Sequence, residues 1–360
     1  MSEISRTVST ALQSLRQREH ASRLAGQIAD TASEVTTGLK SRPYEALGYK
    51  SADAIAIRMQ ITRNDGFIES NKLLAQRFAG LESALGGIRD AGQDVLEQLV
   101  FSEANGGSPS RNLSQIAQAA IDTITARAAY KDTSGFAMSG TMSDLIPLQP
   151  WDEVNPDTGL SPQGIIQGTV GPTITGTADA QAKIDELRTI YDSALVANPN
   201  SNFEATFYRG TDELDAGGQP NPFVEVQISP TEKITQPAQA NNPAMRDLLR
   251  GLAMLAEVDV SAIADPDARA LWMEEARSAI AGGLSGVTDL ETGAGVTRGR
   301  LADTLNTQQV RAELLASEQL ALEGADQYDA AGRLTQLQTQ LESSYAVTAR
   351  LSRMSFLNYL

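Results

Sequence analysis

The stretch "IRMQITRNDGFIESNKLLAQRFAGLESALGGIRDAGQDVLEQL", residues 57–99, decides the architecture. Along it apolar residues return at alternating steps of three and four, or at sevens: Ile57, Ile61, Ile68, Ala75, Phe78, Leu81 or Glu82, Leu85, Ile88, Gly92, Val95 and Leu99. That spacing keeps the apolar side chains on one face of a helix and reads as the seam of a long amphipathic or coiled-coil helix. Asn64 and Asn71 fall on the same stripe. An Asn buried on a seam fixes register at some cost in stability, whereas a drifting stripe leaves it in solvent; the spacing leaves both readings open.

The signal recurs toward both ends of the chain. Leu301, Leu305, Val310, Leu314, Leu320, Tyr328, Leu334, Leu337, Leu341, Tyr345, Thr348 and Leu351 form a C-terminal stripe, and Ile4, Val8, Ala11, Leu15, Ser22, Ala25, Ala29 and Ala32 a weaker N-terminal one. An Ala-rich stripe buries little area, so the N-terminal helix needs a packing partner. Proline marks out the regions where such helices are permitted. Of 14 prolines, 11 lie between Pro147 and Pro243, while residues 44–108 and 267–360 contain none. Proline interrupts helix interiors, so long helices belong to the outer parts of the chain.

Between them, "SRNLSQIAQAAIDTITARAAY" (110–130) predicts a helix with Ser110 as N-cap and Leu113, Ile116, Ala120, Ile121 and Ile124 as its apolar face. Residues 142–178 are rich in Pro, Gly and Thr. Two strands are expected in the middle, "FEATFY" (203–208) and "FVEVQIS" (223–229), the second alternating Val224, Val226 and Ile228 against Glu225 and Gln227. Helices are expected at about 181–196, at 242–258 with Pro243 in the first turn, and through about 266–282. The fold class that follows is mainly α with an α+β insertion: a long antiparallel helical rod formed by the N- and C-terminal segments, carrying a central mixed domain. Residues 1–45 and 315–360 make a terminal coiled-coil domain, 46–141 and 241–314 a helical rod domain, and 142–240 the inserted domain.

Composition excludes several function classes. The net charge is -16, and residues 151–290 alone hold 21 acidic and 8 basic side chains, which argues against chain-wide affinity for nucleic acid or anionic lipid. No run of about 18 apolar residues occurs, so membrane insertion is not expected, and the N-terminus lacks the apolar core and cleavage site of a secretory signal peptide. Cysteine is absent, which removes disulfides, thiolate metal sites and a cysteine nucleophile together. His20, the only histidine, sits in the polar stretch "RQREHASRL", so neither a Ser-His-Asp triad nor a zinc site is expected. In "TGAGVTRGRL" (292–301) no strand precedes the glycines, which fits a helix junction and not a dinucleotide loop. The acidic run "TDELDAGG" (211–218) fails calcium-loop spacing and reads as a solvated loop. No catalytic residue, metal or cofactor is expected, and the protein is not expected to be an enzyme.

The last residues, "TARLSRMSFLNYL" (348–360), crowd Met354, Phe356, Leu357, Tyr359 and Leu360 where termini are usually polar, and the last 18 residues carry only Arg350 and Arg353 as charges. Such an end is an exposed liability unless something covers it. Four stretches carry a resemblance that supplies a reason. These are "GLESALGGIRDAGQDVLEQLVFSEANGG" (80–107), "IDTITARAAYKDTSGFAMSGT" (121–141) with Gly135, Phe136, Met138, Ser139, Gly140 and Thr141, "GAGVTRGRLADT" (293–304), and "GADQYDAAGRLTQLQTQLESSYAVTARLSRMSFLNYL" (324–360). Together they resemble the bacterial flagellin superfamily and, within it, the hook–filament junction branch more than the filament flagellins. The ending Leu357-Asn358-Tyr359-Leu360, without the Asn-Gln and Pro of a flagellin tail, tips that choice, while "TTGLKSRP" (36–43) suits both branches.

The resemblance covers roughly the outer 140 N-terminal and 70 C-terminal residues, leaving the middle outside it. It implies a structural component of the bacterial flagellum, extracellular and exported through the flagellar type III system without a cleaved signal peptide. It further implies self-assembly as a ring homo-oligomer through the terminal helices, with hook-associated protein 1, flagellin and a flagellar export chaperone as partners. The assembly interface is then expected at Ile4, Val8, Leu15, Leu334, Leu337, Leu341, Tyr345, Leu351, Phe356, Leu357, Tyr359 and Leu360.

Overall fold

The computed structural model describes residues 3–104, 112–192, 203–215, 217–236 and 238–357, with side chains undescribed at 3–11, 13–14, 46, 102–104 and 351–357. Its helices are α1 (Glu3–Thr37), α2 (Pro43–Leu47), α3 (Ser51–Ala104), α4 (Leu113–Ala128), α5 (Pro162–Val170), α6 (Thr177–Ile190), α7 (Pro243–Glu257), α8 (Pro266–Glu323) and α9 (Gln327–Leu357). Two antiparallel hairpins complete it: β1 (Lys131–Asp132) with β2 (Gly135–Phe136), and β3 (Val224–Ser229) with β4 (Glu232–Gln236). The protein is mainly α with a small β contribution, as its periodicity predicts. By packing, the chain divides into one unit of residues 1–68 and 306–360 and a second of residues 69–305, and α3 and α8 contribute to both.

In the second unit the α3 seam is as the spacing predicts. Phe78, Leu81, Leu85, Ile88, Val95 and Leu99 are all buried, each contributing about 1.5–3 kcal/mol relative to exposure. α8 runs antiparallel to α3: Glu82 pairs with Arg298, and further along α3, Arg89 pairs with Glu291, earlier in α8. Against them pack α7, buried along most of its length, and α4, which lies on α7. Gly283 of α8 permits the α7 crossing, since a Cβ there would lie 2.6 Å from the Leu248 backbone nitrogen and 2.8 Å from the Ala244 carbonyl oxygen.

The hairpins are tied to α3 by polar side chains. Asn71 is fully buried, and its Nδ2 donates to the Ile228 carbonyl at 2.8 Å. Arg77 donates to Asp132 Oδ1 at 2.6 Å and reaches the Gly135 and Phe136 carbonyls and Gln236 Oε1. Gly135 takes φ +104°, open to glycine, and a Cβ there would run into the Ser143 carbonyl. The Gly-Phe-x-Met-Ser-Gly-Thr segment is therefore a clamp: Met138 and Ser139 are buried, and the Ser139 hydroxyl donates to the Leu145 carbonyl.

Several expectations need correction here. "FEATFY" is no strand; Phe203–Phe207 is a single wide helical turn, and only Tyr208 makes an isolated bridge, to Leu148. Aromatic packing explains the turn, because spacing four residues apart brings Phe203 and Phe207 against Tyr191, with ring centroids 5.3–5.8 Å apart. The glycines of 292–301 mark no junction, since α8 continues through them, braced by the two ion pairs with α3. The helix expected at 181–196 runs instead from Thr177 to Ile190, and Pro162–Val170 adds a helix that the Pro- and Gly-rich composition hid, capped by Ser161 accepting from the Gly164 N–H. The β3 alternation and Pro243 at the start of α7 are as expected, while Ser110 lies outside the described residues.

Candidate assembly interface

The first unit is built differently from the second. α1 and α9 pack antiparallel: Gly38 at the end of α1 lies beside Gln327, and one turn back Glu34 accepts from Arg333. A two-helix pair can bury only a narrow stripe of each member. On α1 this stripe is Gln17, Ala21, Leu24, Ile28, Thr31 and Val35, with Leu24 and Thr31 buried. On α9 it is Ala330, Leu334, Leu337, Leu341 and Ser344, with Ala330 fully buried. Both sets keep strict steps of three and four, a coiled-coil seam.

The N-terminal stripe expected from the alanines is therefore displaced. Ser22, Ala25 and Ala29 are exposed and Ala32 is half-buried, while Leu24, Ile28 and Val35 turn inward, because larger aliphatic groups gain more from burial. Thr31 sits on the seam at little cost, its hydroxyl donating to the Gln27 carbonyl at 2.8 Å. A second displacement occurs on α8. Leu305, Gln308, Ala312, Leu315, Gln319 and Leu322 face inward, and Val310, Leu314 and Leu320 of the expected stripe face out, each more than half exposed. Asn64 explains the polar seam position: it is buried, and its Nδ2 donates to the Gln308 carbonyl at 2.9 Å, a pairing that holds α3 and α8 in register.

The expected interface residues now divide by position. Leu334, Leu337 and Leu341 lie on the half-buried stripe of α9 that faces α1, so part of their surface is used within the chain. Leu15 of α1 and Tyr345 of α9 are on free faces, 54% and 57% exposed. Ile4 and Val8 fall on α1, and Leu351, Phe356 and Leu357 on α9, where only the backbone is described. Tyr359 and Leu360 lie outside the described residues. Periodicity alone missed further exposed apolar groups of this unit: Leu12, Tyr49, Ile55, Met59 and Val347. With Leu15 and Tyr345, these place large apolar side chains in water on α1 and α9 and on or just before α3 of this unit.

The turn joining α8 to α9 is locked to the one following α1. The Ala325 N–H donates to the Gly38 carbonyl and the Lys40 N–H to the Glu323 carbonyl, around an isolated bridge between Leu39 and Gly324. The Glu323 side chain is fully buried and accepts from Arg58 Nε at 2.9 and 3.1 Å and from Arg58 Nη2 at 2.6 Å, with Gln319 donating as well. Burial pushes the Glu323 carboxyl up, but hydrogen bonds from Arg58 and Gln319 outweigh it and hold it below the usual carboxylate range. The Arg58 guanidinium also lies 5.5 Å from the Tyr44 ring centroid.

His20 is exposed on α1, and among the described residues no three His, Cys, Asp or Glu side chains are grouped to hold a metal ion. In the second unit, the acidic run at 211–218 is more constrained than a solvated loop: Glu213 pairs with Arg246 and its N–H donates to Glu204, while Asp215 accepts from the Gly217 and Gln219 N–H groups. Burial raises the Glu204 carboxyl despite those hydrogen bonds. Among the described residues no helix is long and apolar enough to cross a membrane.

Residues 278–360 match the family model of the bacterial flagellin C-terminal helical region. The match takes in most of α8 and all of α9, and it supports membership of the flagellin superfamily. No curated protein matches the chain.

Proposed function

We propose that this chain is a structural subunit of the bacterial flagellum that assembles with copies of itself, and that its place is the junction between hook and filament, as a hook-associated protein 3. The observation that carries the reading is the exposed apolar surface of the α1/α9 and α3/α8 pairs, which lies partly within the region matched to flagellin. A helix pair with that much apolar surface in water gains stability when neighbouring copies cover it. The mechanism is geometric: the terminal helices of adjacent subunits bury one another's outer faces, so that a ring forms between hook-associated protein 1 on one side and flagellin on the other. An export chaperone that covers the same C-terminal stripe before assembly fits this scheme, as does an extracellular site reached through the flagellar type III system.

Labelling this protein on isolated flagella tests the reading. A single band where hook meets filament is the expected result. Label along the whole filament assigns the chain to the filament as a flagellin, and no flagellar label at all removes both. Deletion of residues 349–360 is expected to abolish incorporation while the second unit still folds; normal filament growth in that strain would sink the role given to the terminal helices.

A further inference from the structure

Beside its seam, the second unit carries an open apolar cleft of about 760 Å3 between α3 and α8, walled by Leu96, Val100, Ala281 and Leu284 and rimmed by Glu97, Ser285 and Arg89, the last already paired with Asp90 and Glu291. Residues 105–111, which follow α3 in sequence, read Asn-Gly-Gly-Ser-Pro-Ser-Arg and offer no apolar anchor beyond the proline. Two parallel helix walls with an apolar floor fit an amphipathic helix whose anchors fall at i, i+4 and i+7. The outer stripe of α8 has that pattern in Val310, Leu314, Ser317 and Ala321, all exposed. Charge selects the same stripe. Among the described residues, Glu97 is in no ion pair and accepts only from Gln93, and Arg311, flanking Leu314, donates to the neutral Gln60 and meets no carboxylate.

We infer that this cleft receives the Val310–Ala321 face of α8 from a second copy of the chain, with Arg311 of that copy against Glu97. The inference rests on the self-assembly reading and adds the surfaces that meet. The contact is heterologous, one patch meeting a different patch, so it propagates from copy to copy and closes only as a ring or continues as a helix.

Because the chain lacks cysteine, Ser285→Cys and Ser317→Cys, both at exposed positions, report the contact without background. Under assembling conditions, a short bismaleimide is expected to yield a multimer ladder from the double variant, dimers from a mixture of the two single variants, and monomer from either alone. Glu97→Arg and Arg311→Glu are each expected to weaken assembly about fivefold, the scale of an exposed ion pair, and to restore it when combined. Assembly without the ladder, or dimers from Ser285→Cys alone, overturns the inference and leaves the self-assembly reading standing. An unsubstituted chain that never assembles overturns both.

Discussion

Replacing Arg58 by Leu tests the lock between the two chain turns. Glu323 is wholly buried and Arg58 is its only cation among the described residues, so the substitution strands a carboxylate with Gln319 as its remaining side-chain donor. Removing one partner of a buried pair costs about 3–5 kcal/mol. Arg58 itself is 40% exposed, and water can follow into the space it leaves, so about 2–3 kcal/mol is expected at pH 7. The pH dependence follows from the shift. With its folded-state value depressed, Glu323 adds stability above the usual carboxylate range and loses it as pH falls through the folded value. In Arg58→Leu the same carboxyl is buried without a cation and binds a proton more readily, so the gap between the two proteins narrows toward pH 4. Native-state amide exchange at Lys40 and Ala325, whose N–H groups close this lock, reads the opening free energy locally. Arg58→Leu combined with Glu323→Leu should recover most of the loss. A gap below about 0.5 kcal/mol at pH 7, or one that does not change with pH, would refute the assignment.

Other outcomes follow from burial and close approach. Leu24→Ala should cost about 2–3 kcal/mol in the first unit and Leu15→Ala under about 0.5 in the monomer, read by amide exchange across α1; the reverse order would restore the alanine-based stripe. In α8, Gly283→Ala should cost about 2 kcal/mol or more because backbone blocks the new methyl group. Its neighbour Gly282 has nothing within 4 Å of a Cβ, so Gly282→Ala should gain up to about 1 kcal/mol; equal effects in urea melts would contradict the α7 crossing. Asn71→Ala should cost about 1–3 kcal/mol and loosen the β3–β4 hairpin, seen as faster amide exchange at Val226 and Ile234; an unchanged hairpin would show that the Ile228 bond is not what holds it.

Residues 57–99 were readable because large aliphatic groups at three-and-four spacing leave a helix one choice of buried face, and no proline or competing stripe intervenes. The exclusion of cysteine chemistry is likewise a property of composition, independent of the fold. α1 was harder for the opposite reason: alanine on one face and Leu24, Ile28 and Val35 on the next differ too little in pattern for periodicity to choose, and only the stripe presented by α9 decides. On α8 the same competition ran between Val310, Leu314 and Leu320 and a seam containing Gln308 and Gln319. The seam with the glutamines faces inward, where Asn64 from a distant part of the sequence donates to the Gln308 main-chain carbonyl. Phe203 and Phe207 have strand propensity, yet Tyr191 draws them into a turn. Local spacing thus determined that long helices form and roughly where. Which face of each is covered, and which stays exposed, depends on the element packed opposite, and that is settled by tertiary contact alone.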